Sequence, residues 1–262
     1  MYIEYTKYLT GRAFNDMRIA IREREDNLLI ENATPEQEIA INRLASGTFM
    51  RVQDYFLLNE MAAQTTKLWS PGQQLLVYFF GGTAPIRSKV LSYAQEWSNY
   101  CSITFLETKD IKRAHLRVGF FNDGSWSFIG TDARGVSKSE PTINFGWLNT
   151  SLPDRDFKQV VLHEFGHALG LIHEHQSPAA TVKWNKPYVY NYCYTVYRWT
   201  KQDVDVNIIN TYETSSTQYS ALDTLSIMGY SIPPGFTLDG QVFPLNYDLS
   251  AMDKLYIGTI YQ

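Results

Sequence analysis

Hydrophobic and polar positions divide the chain into two parts with different patterns. Within residues 1–66, apolar side chains recur near helical spacing, and Thr34 followed by Pro35 is a typical helix start. From residue 67 onward, short apolar runs bounded by glycine and proline alternate with amphipathic stretches. The pattern predicts a helical N-terminal section, residues 1–66, and a mixed domain of strands and helices, residues 67–262.

The second part contains four predicted strands and two predicted helices. The strands cover residues 75–80, 103–105, 114–120 and 141–147, and the helices cover residues 85–100 and 154–170. In the third strand, apolar residues alternate with His115 and Arg117, which places these two on the opposite face of the sheet, and a structural role is expected for His115. Asp154 or Asp156 is expected to cap the second helix.

The stretch HEFGHALGLIHEHQSP, residues 163–178, holds four of the five histidines of the chain. On a helix, His163 and His167 lie four residues apart and project from one face. Gly170 can adopt a positive φ and end the helix, so that the chain brings His173 back toward the other two. Three imidazoles around one point, with a fourth position open, predict a catalytic zinc site.

Glu164 lies next to the first predicted ligand, close enough to contact a water molecule on the metal. It is the predicted general base, which takes a proton from that water and passes it to the leaving amine. The pattern HExxHxxGxxH fixes five positions, and on the order of one random chain of this length in a hundred thousand would contain it. This rarity argues against histidines that only fill a helical core. His175 is one residue out of register and is expected either beside the site or at the surface.

HEFGHALGLIH is similar to the zinc signature of the metzincin metalloendopeptidases. Metzincins also have a tight turn with a methionine beneath the metal, and DTLSIMGYS, residues 223–231, resembles this turn, with Met228 as its methionine. Glu174 directly after the third histidine, and the order SIMGY in the turn, resemble the astacin branch. The end of the chain, LSAMDKLYIGTIY, is also similar to that of astacin-type domains, so the likeness covers about residues 67–262.

The resemblance implies a fold and further roles. The fold is an α+β metzincin-type zinc peptidase domain, with a twisted, mostly parallel sheet, an active-site helix, and zinc in a cleft above an irregular C-terminal subdomain. Tyr230 is implied as an extra zinc ligand that swings out to stabilise the tetrahedral intermediate, a role that suits a phenol beside zinc. A tyrosine that only packs under the site is the alternative. Met228 is expected to be a packing residue.

The resemblance also bears on the N-terminal section. In astacins, the glutamate that Glu174 matches meets the new amino terminus after a propeptide is removed. Residues 1–66 are either such an inhibitory propeptide, which makes the chain a zymogen, or a permanent helical subdomain. Asp16 is a candidate for blocking the zinc. A cysteine switch from this section is excluded, because residues 1–66 contain no cysteine.

Two features depart from the astacin pattern. Cys101 and Cys193 cannot form the two disulfides of typical astacins, and they are expected to be either two buried thiols or a single bridge. Gly229 stands where animal astacins usually have histidine. These features are typical of a divergent, bacterial relative, and they leave the substrate preference open.

A peptide substrate is expected to pair with a sheet edge beside the metal. SWSFIGTDARG, residues 125–135, or PTINFGW, residues 141–147, supplies this edge. The aromatic stretch PYVYNYCYTVYRW, residues 187–199, forms either a wall of the cleft or simply hydrophobic core.

Charge and composition narrow the partners and the compartment. A net charge of −4 without a long basic run disfavours nucleic acid as a partner, and no apolar stretch is long enough to predict a membrane span. The N-terminus lacks the apolar core of a signal peptide, so the chain leaves the cell by another route, lacks a leader that the full protein carries, or stays inside. Secretion, or delivery outside the producing cell, is the expectation. We expect a monomer that acts on a protein or peptide.

The sequence thus predicts a zinc-dependent endopeptidase with Zn²⁺ as its cofactor. His163, His167 and His173 are the predicted metal ligands, and Glu164 and Tyr230 the predicted catalytic residues. Two other classes stay open. A zinc-binding effector or interaction protein without proteolytic activity keeps the histidines but has no need of the glutamate as a base. A metal-dependent hydrolase of non-peptide bonds predicts a closed pocket instead of an open groove.

Overall fold

A computed structural model describes residues 63–64, 67–122, 124–212, 217–218 and 222–262 of the chain. Most of the predicted N-terminal section therefore lies outside the described residues, and so does Asp16. The described part of that section is Ala63–Gln64, which forms a short strand, β1.

A five-stranded sheet occupies the first half of the described domain. Its strands are β2 (Gln74–Phe80), β3 (Thr104–Glu107), β4 (Leu116–Gly119), β5 (Ser125–Ser127) and β6 (Ile143–Phe145). The order across the sheet is β3-β2-β4-β6-β5, with the first four parallel and β5 antiparallel at the outer edge. The predicted α+β arrangement with a mostly parallel sheet is confirmed. All four predicted strands are present, and β5 is an additional one.

Two helices pack with the sheet around the main core. They are α1 (Ala84–Ser98) and α2 (Asp154–Ala168), close to the predicted ranges. The Trp97 indole of α1 donates a hydrogen bond of 3.0 Å to the Leu162 carbonyl of α2. The Phe165 ring of α2 contacts rings of two strands, Phe105 at 5.0 Å and Phe145 at 6.5 Å between centroids. These contacts place α2, which carries the predicted metal ligands, firmly against both neighbours.

The start of α2 differs from the prediction. Pro153 occupies the N-cap position, and no side chain caps the helix there. Asp154 and Asp156 instead lie in the first turn, where negative charge favours the positive end of the helix dipole. The Asp154 carboxylate bonds to α1, at 2.8 Å from Lys89 Nζ and 2.7 Å from the Tyr93 hydroxyl. An aspartate at this point thus joins two helices and does not cap one.

Arg117 lies on the second face of the sheet, as the alternation predicts, but it is fully buried. The loop between β5 and β6 covers this face. The guanidinium donates to the carbonyls of Glu140 at 2.8 Å, Val136 at 3.0 Å and Ala133 at 3.3 Å. Arg117 is therefore buried because a loop packs on its face of the sheet. Strand periodicity alone does not reveal such a loop. His115 has the expected structural role, since its Nδ1 accepts the Leu76 N–H at 2.9 Å.

The C-terminal half is more irregular and has its own smaller core. Its elements are α3 (Lys186–Tyr197), α4 (Lys201–Val204), a π-helical turn (Asp205–Ile209), β7 (Thr217–Gln218), which pairs antiparallel with β1, and α5 (Ala251–Ile260). Val189, Cys193 and Trp199 of the aromatic stretch are buried in this core, which favours the core interpretation of residues 187–199. The helix α5 returns to the main core through Tyr256 and Ile257.

The two cysteines are both free thiols. Cys101 is half-buried beside the main core, and Cys193 is buried in the C-terminal core. The alternative of a single bridge between them is therefore wrong, because the two residues lie in different clusters. Within the described parts of the chain, the helices are too short and too polar to cross a bilayer.

Candidate metal centre

The three predicted ligands converge at one point. His163 and His167 lie one turn apart on α2, and His173 follows the end of the helix. The ligand nitrogens of the three rings all lie within 4.8 Å of one another. His163 Nε2 is 3.0 Å from His167 Nε2 and 3.3 Å from His173 Nε2. Tetrahedral bonds of 2.0–2.1 Å to one zinc ion require nitrogens about 3.3 Å apart, so the spacing suits zinc.

Gly170 makes this convergence possible, as the sequence predicted. Its φ is +99°, and the helix ends in a Schellman motif. The Gly170 N–H bonds to the His167 carbonyl at 2.8 Å, and the Leu171 N–H bonds to the Gly166 carbonyl at 3.0 Å. The chain therefore reverses within one residue and returns His173 to the helix face that carries the other two histidines.

Hydrogen bonds at Nδ1 of two of the rings determine which ring nitrogen carries the proton. His163 Nδ1 is 2.9 Å from the Ile227 carbonyl, and His167 Nδ1 is 2.9 Å from the Leu171 carbonyl. A carbonyl only accepts hydrogen bonds, so both Nδ1 atoms carry the proton and both Nε2 atoms present lone pairs.

Two of the three rings, those of His163 and His173, are also held neutral. Burial lowers the pKa of His163 to about 3 and holds the pKa of His173 well below its ordinary value. The Nε2 lone pairs of His163 and His167 face each other at 3.0 Å and cannot bond to each other, and a cation between them resolves the repulsion. The donor set therefore fits zinc.

Glu164 lies beside His163 on α2 and is fully buried. It is one residue beyond the first histidine on the same helix. The prediction that Glu164 is the general base stays a prediction, and its placement next to the converging histidines supports it.

The turn predicted around the methionine is present beneath the histidines. Met228 is fully buried and packs against α2 at Gly166. Tyr230 is 9% exposed, and its ring lies 4.2 Å from the His173 ring and 6.4 Å from the His163 ring between centroids. The tyrosine thus stands beside the metal-binding face, where the implied role requires it.

His175 is buried and packs against Tyr230, so the expectation of a place beside the site is correct and a surface position is wrong. The two ring centroids are 4.4 Å apart, and the His175 ring stacks at 5.4 Å with that of His173. The Tyr230 ring therefore contacts both histidine rings.

Contacts around the methionine turn involve Glu174, which the resemblance singled out, and Asp253, which the sequence did not single out. The Glu174 N–H donates to the Met228 carbonyl at 3.2 Å, and the Glu174 carboxylate accepts the Asp223 N–H at 2.9 Å. On the other side, the buried carboxylate of Asp253 in α5 accepts the Ile227 N–H at 2.9 Å. The pattern Ser250-x-x-Asp253 is a signal for a helix start, but no local pattern links it to a turn some 25 residues earlier.

The edge strand β5 lies beside α2 and resolves the two alternatives for the cleft. β6 is an interior strand, so PTINFGW cannot supply an edge, whereas SWSFIGTDARG begins with β5. The Phe128 N–H bonds to the Thr142 carbonyl, and the Gly146 N–H bonds to the Gly124 carbonyl. By alternation, the backbone groups of Ser125 and Ser127 point away from β6, toward the outer edge.

Substitution of Gly166 by alanine is expected to lower the free energy of unfolding by about 1–3 kcal/mol. Alanine normally stabilises a helix interior relative to glycine. Here a Cβ comes well inside van der Waals distance of Met228 Sδ and 3.2 Å from Trp97 Cζ2. Chemical denaturation measures the effect. Because the clash is with the thioether, Gly166→Ala in a Met228→Ala background should cost much less. An unchanged cost in that background refutes this explanation.

Comparison with known proteins places these features in a family. Residues 61–235 match the family model Astacin, which describes a peptidase family, and this range is more than half of the chain. The chain therefore belongs to the astacin family. The match begins before residue 67, within the section that the sequence analysis separated from the catalytic domain.

The solved structures that are similar to this chain include the following two. One, entitled "Structure of myroilysin", is 47% identical with a TM-score of 0.73, and the match covers 76% of this chain and 98% of that chain. The other is the hatching enzyme HCE-1, a zinc-protease from Oryzias latipes (Medaka fish), with 14% identity and a TM-score of 0.52, covering 75% of this chain and 95% of that chain. The second likeness concerns the fold alone. Both agree with the predicted metzincin-type fold.

Curated relatives match over shorter segments. Zinc metalloproteinase nas-27 of Caenorhabditis elegans is 36% identical over 100 residues, which are 37% of this chain and 21% of that protein. A serralysin of Photorhabdus laumondii is 26% identical over 183 residues, which are 62% of this chain and 31% of that protein. The chain thus spans a fifth to a third of the length of these relatives.

Proposed function

We propose that this chain is a zinc-dependent endopeptidase that hydrolyses peptide bonds in proteins. The observation that carries the proposal is the group of three imidazoles, whose Nε2 atoms converge at 3.0–3.3 Å beside Glu164. The metal ligands are His163, His167 and His173. Membership of a peptidase family supports the reaction class, since the family model covers the site.

Glu164 and Tyr230 have separate roles in the proposed hydrolysis. Bound zinc supplies Lewis acidity, which makes attack by water feasible near neutral pH. Glu164 takes the proton of the attacking water on its carboxylate and passes it to the nitrogen of the leaving amine. The Tyr230 hydroxyl donates a hydrogen bond to the oxyanion that develops on the scissile carbonyl.

The substrate lies extended along β5. Ser125 and Ser127 have backbone N–H and C=O groups on the outer side of this strand, at the spacing of alternate residues, and both residues are buried in this structure. A peptide that adds as a further strand satisfies these groups and has its scissile bond fixed beside α2. Main-chain pairing of this kind binds peptides of many different sequences, which is consistent with hydrolysis of unfolded proteins in general.

Replacement of Tyr230 by phenylalanine is expected to lower kcat about 10- to 100-fold and to leave KM nearly unchanged. The hydroxyl acts on charge that appears only in the transition state, so substrate binding does not depend on it. Steady-state kinetics on a peptide measure the two constants. Tyr256→Phe is the control, because Tyr256 is a buried tyrosine of the main core. An equal fall in kcat for both variants, or an unchanged kcat for Tyr230→Phe, contradicts the assigned role.

The proposal includes latency of the intact chain, with residues 1–66 as the pro-segment. The site side chains have very low exposed fractions, namely 0% for Glu164, His167 and His173, 2% for His163 and 9% for Tyr230. A groove that accepts a peptide has to expose such groups, so the burial supports a closed site that opens on activation. Delivery outside the producing cell and a monomeric state stay predictions.

Digestion of a reduced, carboxymethylated protein tests the proposal. The intact chain is compared with the same chain after brief trypsin treatment that removes N-terminal residues, and each is assayed with zinc and with a chelator. Cleavage that increases after trimming, stops with chelator and returns with zinc supports a latent zinc peptidase. Cleavage that is equally fast before trimming refutes latency only. Zinc binding without cleavage in any state favours the zinc-binding effector instead.

A further inference from the structure

Asp253 is a buried carboxylate that the proposed reaction does not use. It lies in the first turn of α5 and has no exposed surface. Burial raises its pKa to about 6, although hydrogen bonds from Ile227, Ser250 and Ser226 act in the opposite direction. A carboxylate taken out of water costs several kcal/mol unless its oxygens are well bonded. The three bonds that Asp253 accepts therefore indicate what it does.

Two of these bonds lead directly to the turn beneath the metal-binding histidines. One carboxylate oxygen accepts the Ser226 hydroxyl at 2.7 Å, and the other accepts the Ile227 N–H at 2.9 Å. The Ser226 oxygen in turn accepts the Met228 N–H at 3.0 Å. Both oxygens of one side chain thus hold consecutive residues of the turn.

The Ile227 residue connects this carboxylate to a metal ligand. Its N–H donates to Asp253, and its carbonyl accepts the Nδ1–H of His163 at 2.9 Å. A carbonyl that orients a histidine fixes its tautomer and raises the basicity of the nitrogen that binds the metal. The orientation of His163 therefore depends on how firmly residue 227 is held.

We propose that Asp253 is a positioning residue for the metal ligand His163, acting through the Ile227 backbone. The carboxylate fixes the turn from the side of α5, and its negative charge polarises the hydrogen bonds that continue to the imidazole. The inference rests on the proposed function only in requiring that the three histidines bind zinc.

The simpler explanation is that Asp253 only starts α5. Ser250 and Asp253 form a capping box, in which the Ser250 N–H donates to the carboxylate at 2.7 Å and the Asp253 N–H donates to Ser250 Oγ at 2.9 Å. The capping box does not involve Ser226 or Ile227. The Ser250 hydroxyl also donates to Asp223 Oδ2 at 2.7 Å, at the start of the turn, but this bond does not reach Ile227. The two explanations therefore predict different effects on zinc binding, which makes Ser250 a matched control.

Zinc affinity of the full chain is the decisive measurement, made by competition with a chelator at about pH 7.5, near which neutral histidines bind the metal. Asp253→Asn is expected to raise the zinc Kd about tenfold, the lower end of the range for groups that orient a ligand. The visible spectrum of the cobalt-substituted chain should shift with it. Ser250→Ala should lower thermal stability and leave the zinc Kd within about twofold, because it keeps the Asp253 carboxylate and its bond to Ile227.

Ser226→Ala is a second variant in case Asp253→Asn folds poorly. It removes one link between Asp253 and the turn and keeps the carboxylate, so a smaller rise in zinc Kd is expected. Unchanged zinc Kd in both variants, or an equal rise in Ser250→Ala, overturns the inference. No peptide substrate enters the measurement, so a chain that binds zinc but cleaves nothing still tests it. An unmodified chain that binds no zinc overturns the inference and the proposed function together.

Discussion

Glu164→Ala is expected to lower kcat/KM for peptide hydrolysis by about 10³- to 10⁴-fold, the upper part of the range for a general acid–base residue. The carboxylate both accepts the proton of the attacking water and donates it to the leaving amine, so its loss affects two steps. Zinc binding should persist, because His163, His167 and His173 are unchanged and reach the metal without Glu164.

The measurement compares hydrolysis of a peptide by the trypsin-trimmed chain and by the variant prepared in the same way. Glu164→Gln, which keeps the shape of the side chain, should be as inactive as the alanine variant. Glu140→Ala makes the same change at an exposed glutamate and should be fully active. Activity in Glu164→Gln within about tenfold of the unmodified chain would falsify the role of general base, which is worth at least about 100-fold.

The same variant separates the proposed peptidase from its rivals. An interaction protein that only binds zinc should keep its partner affinity in Glu164→Ala, because no proton is transferred in binding. A hydrolase of non-peptide bonds should lose activity on its own substrate but show no cleavage of unfolded protein in either form. The experiment therefore distinguishes loss of chemistry from loss of structure.

Gly170→Ala is expected to lower the free energy of unfolding by about 2–4 kcal/mol and to weaken zinc binding. Two costs combine: a side chain at φ +99° is strained, and the added Cβ lies 2.8 Å from Leu68 Cδ2. A backbone shift that relieves the strain or the contact also moves the turn that brings His173 to the other two ligands. Denaturant titration of the zinc-free chain and chelator competition of the zinc-loaded chain measure the two effects separately.

Gly135→Ala provides the control for this change. Gly135 has φ −76°, and an added Cβ meets its nearest neighbour at an ordinary 3.5 Å. The free energy of unfolding of the Gly135→Ala variant should therefore change by no more than about 0.5 kcal/mol, and its zinc affinity should stay the same. Similar losses in the two variants contradict the view that the turn at Gly170 controls the ligand geometry.

The centre of the site could be identified from the sequence because that part of its geometry is local. Two histidines one helical turn apart, and a glycine that reverses the chain, are decided within about ten residues. Their convergence with His173 could thus be predicted without knowing the rest of the fold. Tyr230 and Met228 lie more than 50 residues further on, and they were named through resemblance to a family, since no local pattern relates them to α2.

Other features lay beyond or against the prediction where contacts between distant segments decide the outcome. Arg117 appeared as one polar residue of a strand, but a later loop covers its face of the sheet and supplies three carbonyls. Asp154 or Asp156 was expected to cap α2, but both lie in its first turn, and the neighbouring α1 offers a lysine and a tyrosine that bond to the Asp154 carboxylate. Alternation and capping rules describe one helix or strand at a time. The contacts of these two side chains depend on a second segment that packs against the first.

By itself, the sequence determined most of the strands, both main helices and the three converging histidines, because periodicity and helix-end chemistry act over a few residues. Only the tertiary structure decided that β5 is the edge strand, that His175 packs behind Tyr230, and that Asp253 holds the turn beneath His163. These arrangements depend on which distant segments share a core, and buried polar groups find their hydrogen-bond partners only after that packing is complete.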